Sequence, residues 1–282
     1  MLIFFSMIKQ SHQRQGQMPE NSLDLKDRLL RLYYLFVLKG GRALNRLMWK
    51  LIEIRLSGQR LHPKHLALPE KEHHWYAEYI QPGWKVLDLG CDRGGHCRRL
   101  IRKGAEVVGV DCNQAALDGA VESEGIRYLC ADLEKPIDLP DASFDAVLAL
   151  DVIEHLHNRE LFGKQMARLV KPGGQVFLAA PNRATRWKTT ARHLGLFEMS
   201  DPDHKIEYEK EELLQSIADT GLVIESVRPV VFDTPWSAWI DFVGGLSLSV
   251  YKMLWMRKRH KAQAMPDQTT GWRIVARRPA NS

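Results

Sequence analysis

The feature that most constrains this chain is a regular alternation of short apolar runs with helical stretches, the runs ending in aspartate. Lys85–Gly90, Ala105–Asp111, Ile126–Cys130 and Phe144–Leu150 read as strands, and Asp88, Asp111, Asp132 and Asp151 fall at or just after their ends. Helical spacing fills His96–Lys103, Gln114–Glu122 and Glu160–Val170. Further on, Lys171-Pro172-Gly173-Gly174 predicts a turn into a strand over 175–180, then a helix over 210–220 and strands over 223–231 and 272–277. Strands linked through helices pair in parallel, with both faces of the sheet covered. The expected fold is α/β, a doubly wound, mostly parallel seven-stranded sheet. Ligands of such sheets sit beyond the carboxyl ends of the strands, where strand order reverses. The four acids are therefore expected along one ligand-binding rim. Capping of the following helices explains any one of them well, and all four less well.

The turn after the first run, Gly90-Cys91-Asp92-Arg93-Gly94-Gly95, narrows the ligand. A dinucleotide pyrophosphate calls for G-x-G-x-x-G against a helix N-terminus. Here Asp92 stands at the middle glycine and Asp88 adds further negative charge. That environment suits a cationic sulfonium and ammonium better than a diphosphate.

On these residues the sequence resembles the class I S-adenosylmethionine-dependent methyltransferases, of the methyltransferase type 11 kind. VLDLGCDRGGH is similar to their first motif, VVGVD to their second strand, CADL to the acid on the adenine side, FDAVLALDVIEHL to the fourth strand, and LVKPGGQVFLAAPN to the turn into the fifth. The resemblance spans roughly 72–232 and the last strand. It implies S-adenosyl-L-methionine as cofactor. Asp88, Gly90, Cys91 and Gly94 would lie around its methionine end, Asp111 and Cys112 at the ribose, Asp132 and Leu133 at the adenine, and Asp151 at the rim beyond.

The acceptor is less constrained. The N-methylation signature N/D-P-P-Y/F does not follow the fourth strand, so O-methylation is expected. Asp151-Val152-Ile153-Glu154-His155 resembles the E-x-x-E-H of ubiquinone-biosynthesis O-methyltransferases, which can hold a divalent metal. Here no metal is expected, Asp151, Glu154 and His155 being the set that would carry one. His155 as general base, with Glu154, and a purely loop-ordering role for both stay open. The lead-in His62, His65, His73 and His74, together with Arg183 and Trp187 after the fifth strand, are candidate acceptor contacts, with surface histidines as the plain alternative. This lead-in is similar to uncharacterised methyltransferases encoded with surface-polysaccharide enzymes.

Charge is segregated. Residues 1–64 carry a net +8 and 233–282 a net +5, against +6 for the whole chain, so the centre is acidic. An apolar stripe of Leu25, Leu29, Leu32 and Phe36 predicts a helix from Ser22, capped by Asn21 or Ser22 and broken at Gly40-Gly41, with a second helix after it. Trp236, Trp239, Ile240, Val243, Leu246, Val250 and Leu254 share one helical face, ahead of the basic run 257–261. Core packing and contact with an anionic membrane both fit the first helices. For 236–256, an in-plane helix or hairpin, a cap over the site and a span are the alternatives. No nucleic-acid partner is expected, because no binding module accompanies the basic residues. The four cysteines include no C-x-x-C pair, and reduced thiols are expected. The apolar start lacks a basic lead and a cleavage site, so it does not read as a signal peptide. A cytoplasmic protein, peripheral on the inner membrane face, follows as the expectation.

The expected organisation is a polar tail over 1–20, basic helices and lead-in over 21–71, a methyltransferase domain over 72–232 plus 271–279, and an amphipathic insert over 233–270. Expected partners are a small-molecule or lipid-linked acceptor and the membrane surface. A ubiquinone-pathway O-methyltransferase is the alternative enzyme, and a non-catalytic cofactor-binding module the alternative of another class.

Overall fold

The computed structural model describes residues 23–55, 62–120 and 125–280. The expected tail over 1–20 and the caps at Asn21 and Ser22 lie outside them. The strands are β1 (Lys85–Leu89), β2 (Glu106–Asp111), β3 (Ile126–Cys130), β4 (Phe144–Leu150), β5 (Val170–Pro181), β6 (Val223–Pro229) and β7 (Gly271–Arg277). They form one seven-stranded sheet in the order β3-β2-β1-β4-β5-β7-β6. β1 to β5 pair in parallel, whereas β7 is antiparallel to both β5 and β6. The order reverses between β1 and β4, which places the ligand crevice beyond Leu89 and Leu150.

The helices on the sheet are α3 (Gly95–Ile101), α4 (Gln114–Asp118), α5 (Arg159–Leu169) and α7 (Lys210–Ala218). Alternate residues of each strand face opposite layers. Leu87, Leu89, Val147 and Ala149 pack with Phe162, Met166 and Leu213 on one side. Val86, Ala146 and Leu148 pack with Tyr76, Cys97, Leu100 and Phe177 on the other. Asp88 alternates with Leu87 and Leu89, so it points into this second layer, beneath α3. The turn expected at 171–174 is instead the start of β5, because Val170 pairs with Phe144 and Gly174 accepts from the Arg278 amide.

The flanking helices differ most from expectation. α1 runs unbroken over Leu25–Arg55, and at its start Asp24 Oδ1 accepts from the Asp27 amide at 2.8 Å. Gly40 and Gly41 do not break the helix. They let a second helix, α8 (Ser237–Leu246), approach: a Cβ at Gly40 would lie 2.9 Å from the Trp239 ring, and one at Gly41 3.0 Å from Ala238. Close packing offsets the roughly 1 kcal/mol that glycine costs within a helix. Trp239 Nε1 donates to the Val37 carbonyl and Trp236 Nε1 to the Tyr33 hydroxyl, both at 2.9 Å. The indoles thus serve the α1–α8 interface.

The predicted single face over 236–254 is also divided. The chain leaves helical geometry at Ser247, whose hydroxyl caps α9 (Leu248–Ala264). Among the described residues, no helix is long and apolar enough to cross a membrane. The predicted stripe Leu25, Leu29, Leu32 and Phe36 is exposed, while Tyr34, Val37, Met48 and Ile52 are buried. The short α2 (Pro63–Ala67) and α6 (Arg186–His193) complete the helices.

Candidate active site

At the first turn, Gly90 and Gly94 adopt φ of 76° and 70°, a region that side chains disfavour. A Cβ at Gly94 would lie 2.0 Å from the Tyr128 hydroxyl, so glycine is a steric requirement there. Asp92 has φ 46°, a left-handed conformation that aspartate tolerates better than most residues. Its side chain is exposed and its amide donates to Asp111 Oδ2 at 2.8 Å. Asp111 Oδ1 accepts from the Asn113 amide, so the carboxylate at the end of β2 is held by two backbone donors. Cys91 is buried under this turn, and Cys112 is exposed beside Asp111. Asp132 is solvent-facing, with Lys135 at 3.2 Å, while the neighbouring Leu133 is buried. All four cysteines are unpaired thiols.

Asp88 is almost fully buried, and Cys97 Sγ donates to its Oδ2 at 3.2 Å. Burial raises its carboxyl to about 7. The sequence places an acid there, but not this depth, which a cationic ligand nearby would offset.

From Asp151 a cavity of about 1530 Å³ runs away from the rim. One wall comes from Lys64, His65, His73, His74 and His96, a second from Trp187, Ser200, Asp201 and His204, and a third from Val37, Leu38 and Arg42 of α1 with Ser237 and Ala238 of α8. Of the histidines expected at the acceptor, His65, His73 and His74 line the cavity. His62 does not; it caps α2 and pairs with Asp241 at 3.4 Å. Trp187 lines the cavity, whereas Arg183 is drawn off by Glu209 and Glu212. His96, absent from the sequence reading, sits 3.3 Å from His74 and 2.7 Å from the Tyr76 hydroxyl. Burial first, then neighbouring positive groups, lowers His65 and His96 to about 4, so these two imidazoles are neutral at physiological pH.

Asp151 opens onto the cavity with φ 55°, and the surrounding protein raises its carboxyl. Glu154 is 1% exposed, and its Oε2 has no hydrogen-bond partner among the described residues. Burial, then the charge of Asp151, pushes it up to about 8. Glu154 lines the cavity; His155 does not, its ring packing edge-on against His204 with centroids 4.8 Å apart. One ligand atom each from Glu154, His155 and His204 fall within 4.8 Å of one another, with Asp151 outside the group. A hard divalent cation takes six or more oxygens. One carboxylate and two imidazoles supply too few oxygens to fit it.

The residues sequence reasoning missed are His96, Glu207 and Lys188. The last two form a buried pair, Lys188 Nζ to Glu207 Oε2 at 2.5 Å, each residue 1% exposed. A lone lysine in a short polar helix carries no sequence signal of burial.

Comparison with known proteins agrees with this architecture. The "Methyltransferase domain" family matches residues 87–178. A ubiquinone biosynthesis O-methyltransferase of Bradyrhizobium diazoefficiens is 34% identical over 169 residues, 56% of this chain and 65% of its own. One from Rhizobium etli is 31% identical over 171 residues, 56% of this chain and 67% of its own. With 43% to 66% coverage, the chain spans less than two thirds of the length of the first such relatives it matches. Among solved structures, an S-adenosylmethionine-dependent methyltransferase from Mesorhizobium loti aligns with TM-score 0.50 and 20% identity, over 73% of this chain and 98% of its own, a likeness of fold.

Proposed function

Because this chain belongs to the class I S-adenosylmethionine-dependent methyltransferases, we propose that it O-methylates an amphipathic, membrane-associated acceptor such as a lipid-linked glycan, working at the cytoplasmic face of an anionic membrane. Its cofactor is S-adenosyl-L-methionine. In this reading Gly90, Gly94 and Asp88 face the methionine end, Asp111 receives the ribose hydroxyls, and Asp132 meets the adenine edge. Asp151 marks where the methyl group enters the cavity. Methyl transfer from a sulfonium is an in-line displacement, so the protein chiefly aligns the acceptor, excludes water and takes up a proton.

The observation that carries the acceptor class is the course of the cavity, from Asp151 and Glu154 to the inner faces of α1 and α8. On the outer face of α1, Leu25, Leu29, Leu32, Phe36, Leu47 and Ile54 are exposed in one stripe. Arg28, Lys39, Arg46 and Lys50 are exposed along its border. Apolar burial and attraction to anionic lipid add together on such a helix. An acceptor held in the bilayer by its tail would then reach the site between α1 and α8.

The test pairs two measurements. Sedimentation with vesicles of phosphatidylglycerol and phosphatidylcholine is expected to capture the protein, and Leu29→Gln with Phe36→Gln to release most of it. Mass spectrometry of lipid extracts incubated with the protein and cofactor should show a species one methylene heavier. Equal sedimentation of the variant would remove the membrane contact. A product only in the aqueous fraction would remove the lipid-linked acceptor. The relatives named for ubiquinone biosynthesis favour a second reading, a polyprenylated phenol as acceptor, which the same lipid analysis identifies by mass.

A further inference from the structure

Behind the cavity wall at Ser200 and His204 lies a buried line of ionisable groups. Lys188 on α6 donates from Nζ to the Asn182 carbonyl at 2.8 Å, to Ser200 Oγ at 3.0 Å and to Glu207 Oε2 at 2.5 Å. The other oxygen of Glu207 accepts from the Ser200 amide at 2.5 Å and meets His204 Nδ1 at 3.0 Å. Burial works against the Glu207 charge, but the contacts with His204 and Lys188 outweigh it and bring the carboxyl down to about 2. An ionised carboxylate only accepts hydrogen bonds. The proton between the two residues therefore sits on His204 Nδ1, which leaves Nε2 as the basic nitrogen. His204 is 7% exposed and lines the cavity, with Nε2 3.9 Å from Glu154 Oε1.

We propose that His204 is the proton acceptor for methyl transfer, with Glu207 and Lys188 as its positioning residues. The inference rests on the reading of a hydroxyl acceptor. As the acceptor oxygen forms its bond to the methyl carbon, the O–H bond breaks and the proton passes to His204 Nε2. The methyl–sulfur bond breaks with its electron pair staying on sulfur, so the cationic sulfonium becomes a neutral thioether. The positive charge lost from sulfur reappears on the imidazolium, beside the Glu207 carboxylate. This is the arrangement of a base oriented by a buried acid.

The groups that bear on His204 come from three elements. Glu154 and His155 follow β4, with Asp151 at its end; Lys188 lies on α6; Asp201 and Glu207 share its loop. Glu154 is protonated at neutral pH and so does not compete as base. Lys188 Nζ holds one oxygen of Glu207 while the other meets His204 Nδ1, so the carboxylate is fixed where it orients the ring.

The test uses the full chain, isotopically labelled S-adenosylmethionine and a total lipid extract of the source organism. His204→Asn retains an amide donor for Glu207 and removes the base. Transfer is expected to fall ~100-fold or more, the scale of general-base loss, with calorimetric affinity for S-adenosylmethionine unchanged. The wild-type rate should rise with pH to a plateau, whereas the variant's residual rate should keep rising. Glu207→Gln should move the wild-type midpoint to lower pH, since the imidazolium loses its counter-charge. A His204→Asn variant with the wild-type rate and profile overturns the assignment. If the wild-type protein labels nothing in the extract, the acceptor reading fails, and imidazole nitrogen NMR of the wild-type protein decides the present inference on its own. The Nδ1–H tautomer supports it, and the Nε2–H tautomer overturns it.

Discussion

The two ends of the crevice are built differently. On the rim side, Gly90, Asp92, Gly94 and Asp111 sit within two adjacent strand ends, and backbone amides hold the key carboxylate. On the acceptor side, the wall is assembled from α1, the segment before β1, the loop after β5 and the α8–α9 insert. Its polar groups are held by one another, as in the Lys188–Glu207–His204 line. Local backbone geometry positions a ligand common to many proteins of this fold. Long-range side-chain packing positions whatever is particular to one of them.

If that contrast is right, the acceptor wall should be the more fragile. Lys188→Ala leaves Glu207 buried without its cation, and denaturant unfolding is expected to show a loss of about 3–5 kcal/mol, the usual cost of breaking a buried pair. A loss below 1 kcal/mol would mean that water reaches the pair and that the wall is not built on it.

Glu154 sharpens the same point through pH. Its folded carboxyl titrates near 8, above the ordinary glutamate value, so the folded state holds a proton that the unfolded chain has released. Wild-type stability should therefore decline as pH rises from the unfolded value, near 4.5, to about 8. Glu154→Gln should match the wild type at pH 4 and exceed it at pH 9 by roughly 2–4 kcal/mol. Parallel curves for the two proteins would show that Glu154 ionises freely in the cavity.

The rim should respond in binding and hardly in folding. Asp111→Ala is expected to weaken S-adenosylmethionine binding by about 1–3 kcal/mol in calorimetry, the scale of charge-assisted hydrogen bonds, with little change in unfolding. Unchanged affinity would remove Asp111 from the ribose, and a large loss of stability would erase the contrast between the two sides.

The difference in construction also explains what could be read in advance. β1 to β4 and their terminal acids follow from apolar runs and period, which are local properties. Gly94 was legible as part of a glycine-rich turn, although only Tyr128 beneath it shows why no Cβ fits. The α1 helix was misread at Gly40-Gly41 because local propensity favours a break there. The gain that outweighs it comes from Trp239, which is distant in sequence. Periodicity identifies the stripe of α1 without saying what it meets, so core packing and membrane contact both stay open until the structure shows the stripe exposed. His62 and Arg183 were plausible acceptor contacts by type, yet Asp241 and Glu212 hold them elsewhere.

By itself the sequence determined the layered α/β sheet, the row of aspartates at its edge and the cationic character of the ligand they suit. Each depends on neighbours within a few residues. Only the tertiary structure decided that Glu154 and His204, from separate loops, share one cavity, and that the cavity reaches the amphipathic helices. Such meetings depend on how whole elements pack, and the energies that fix them are summed over contacts no local window contains.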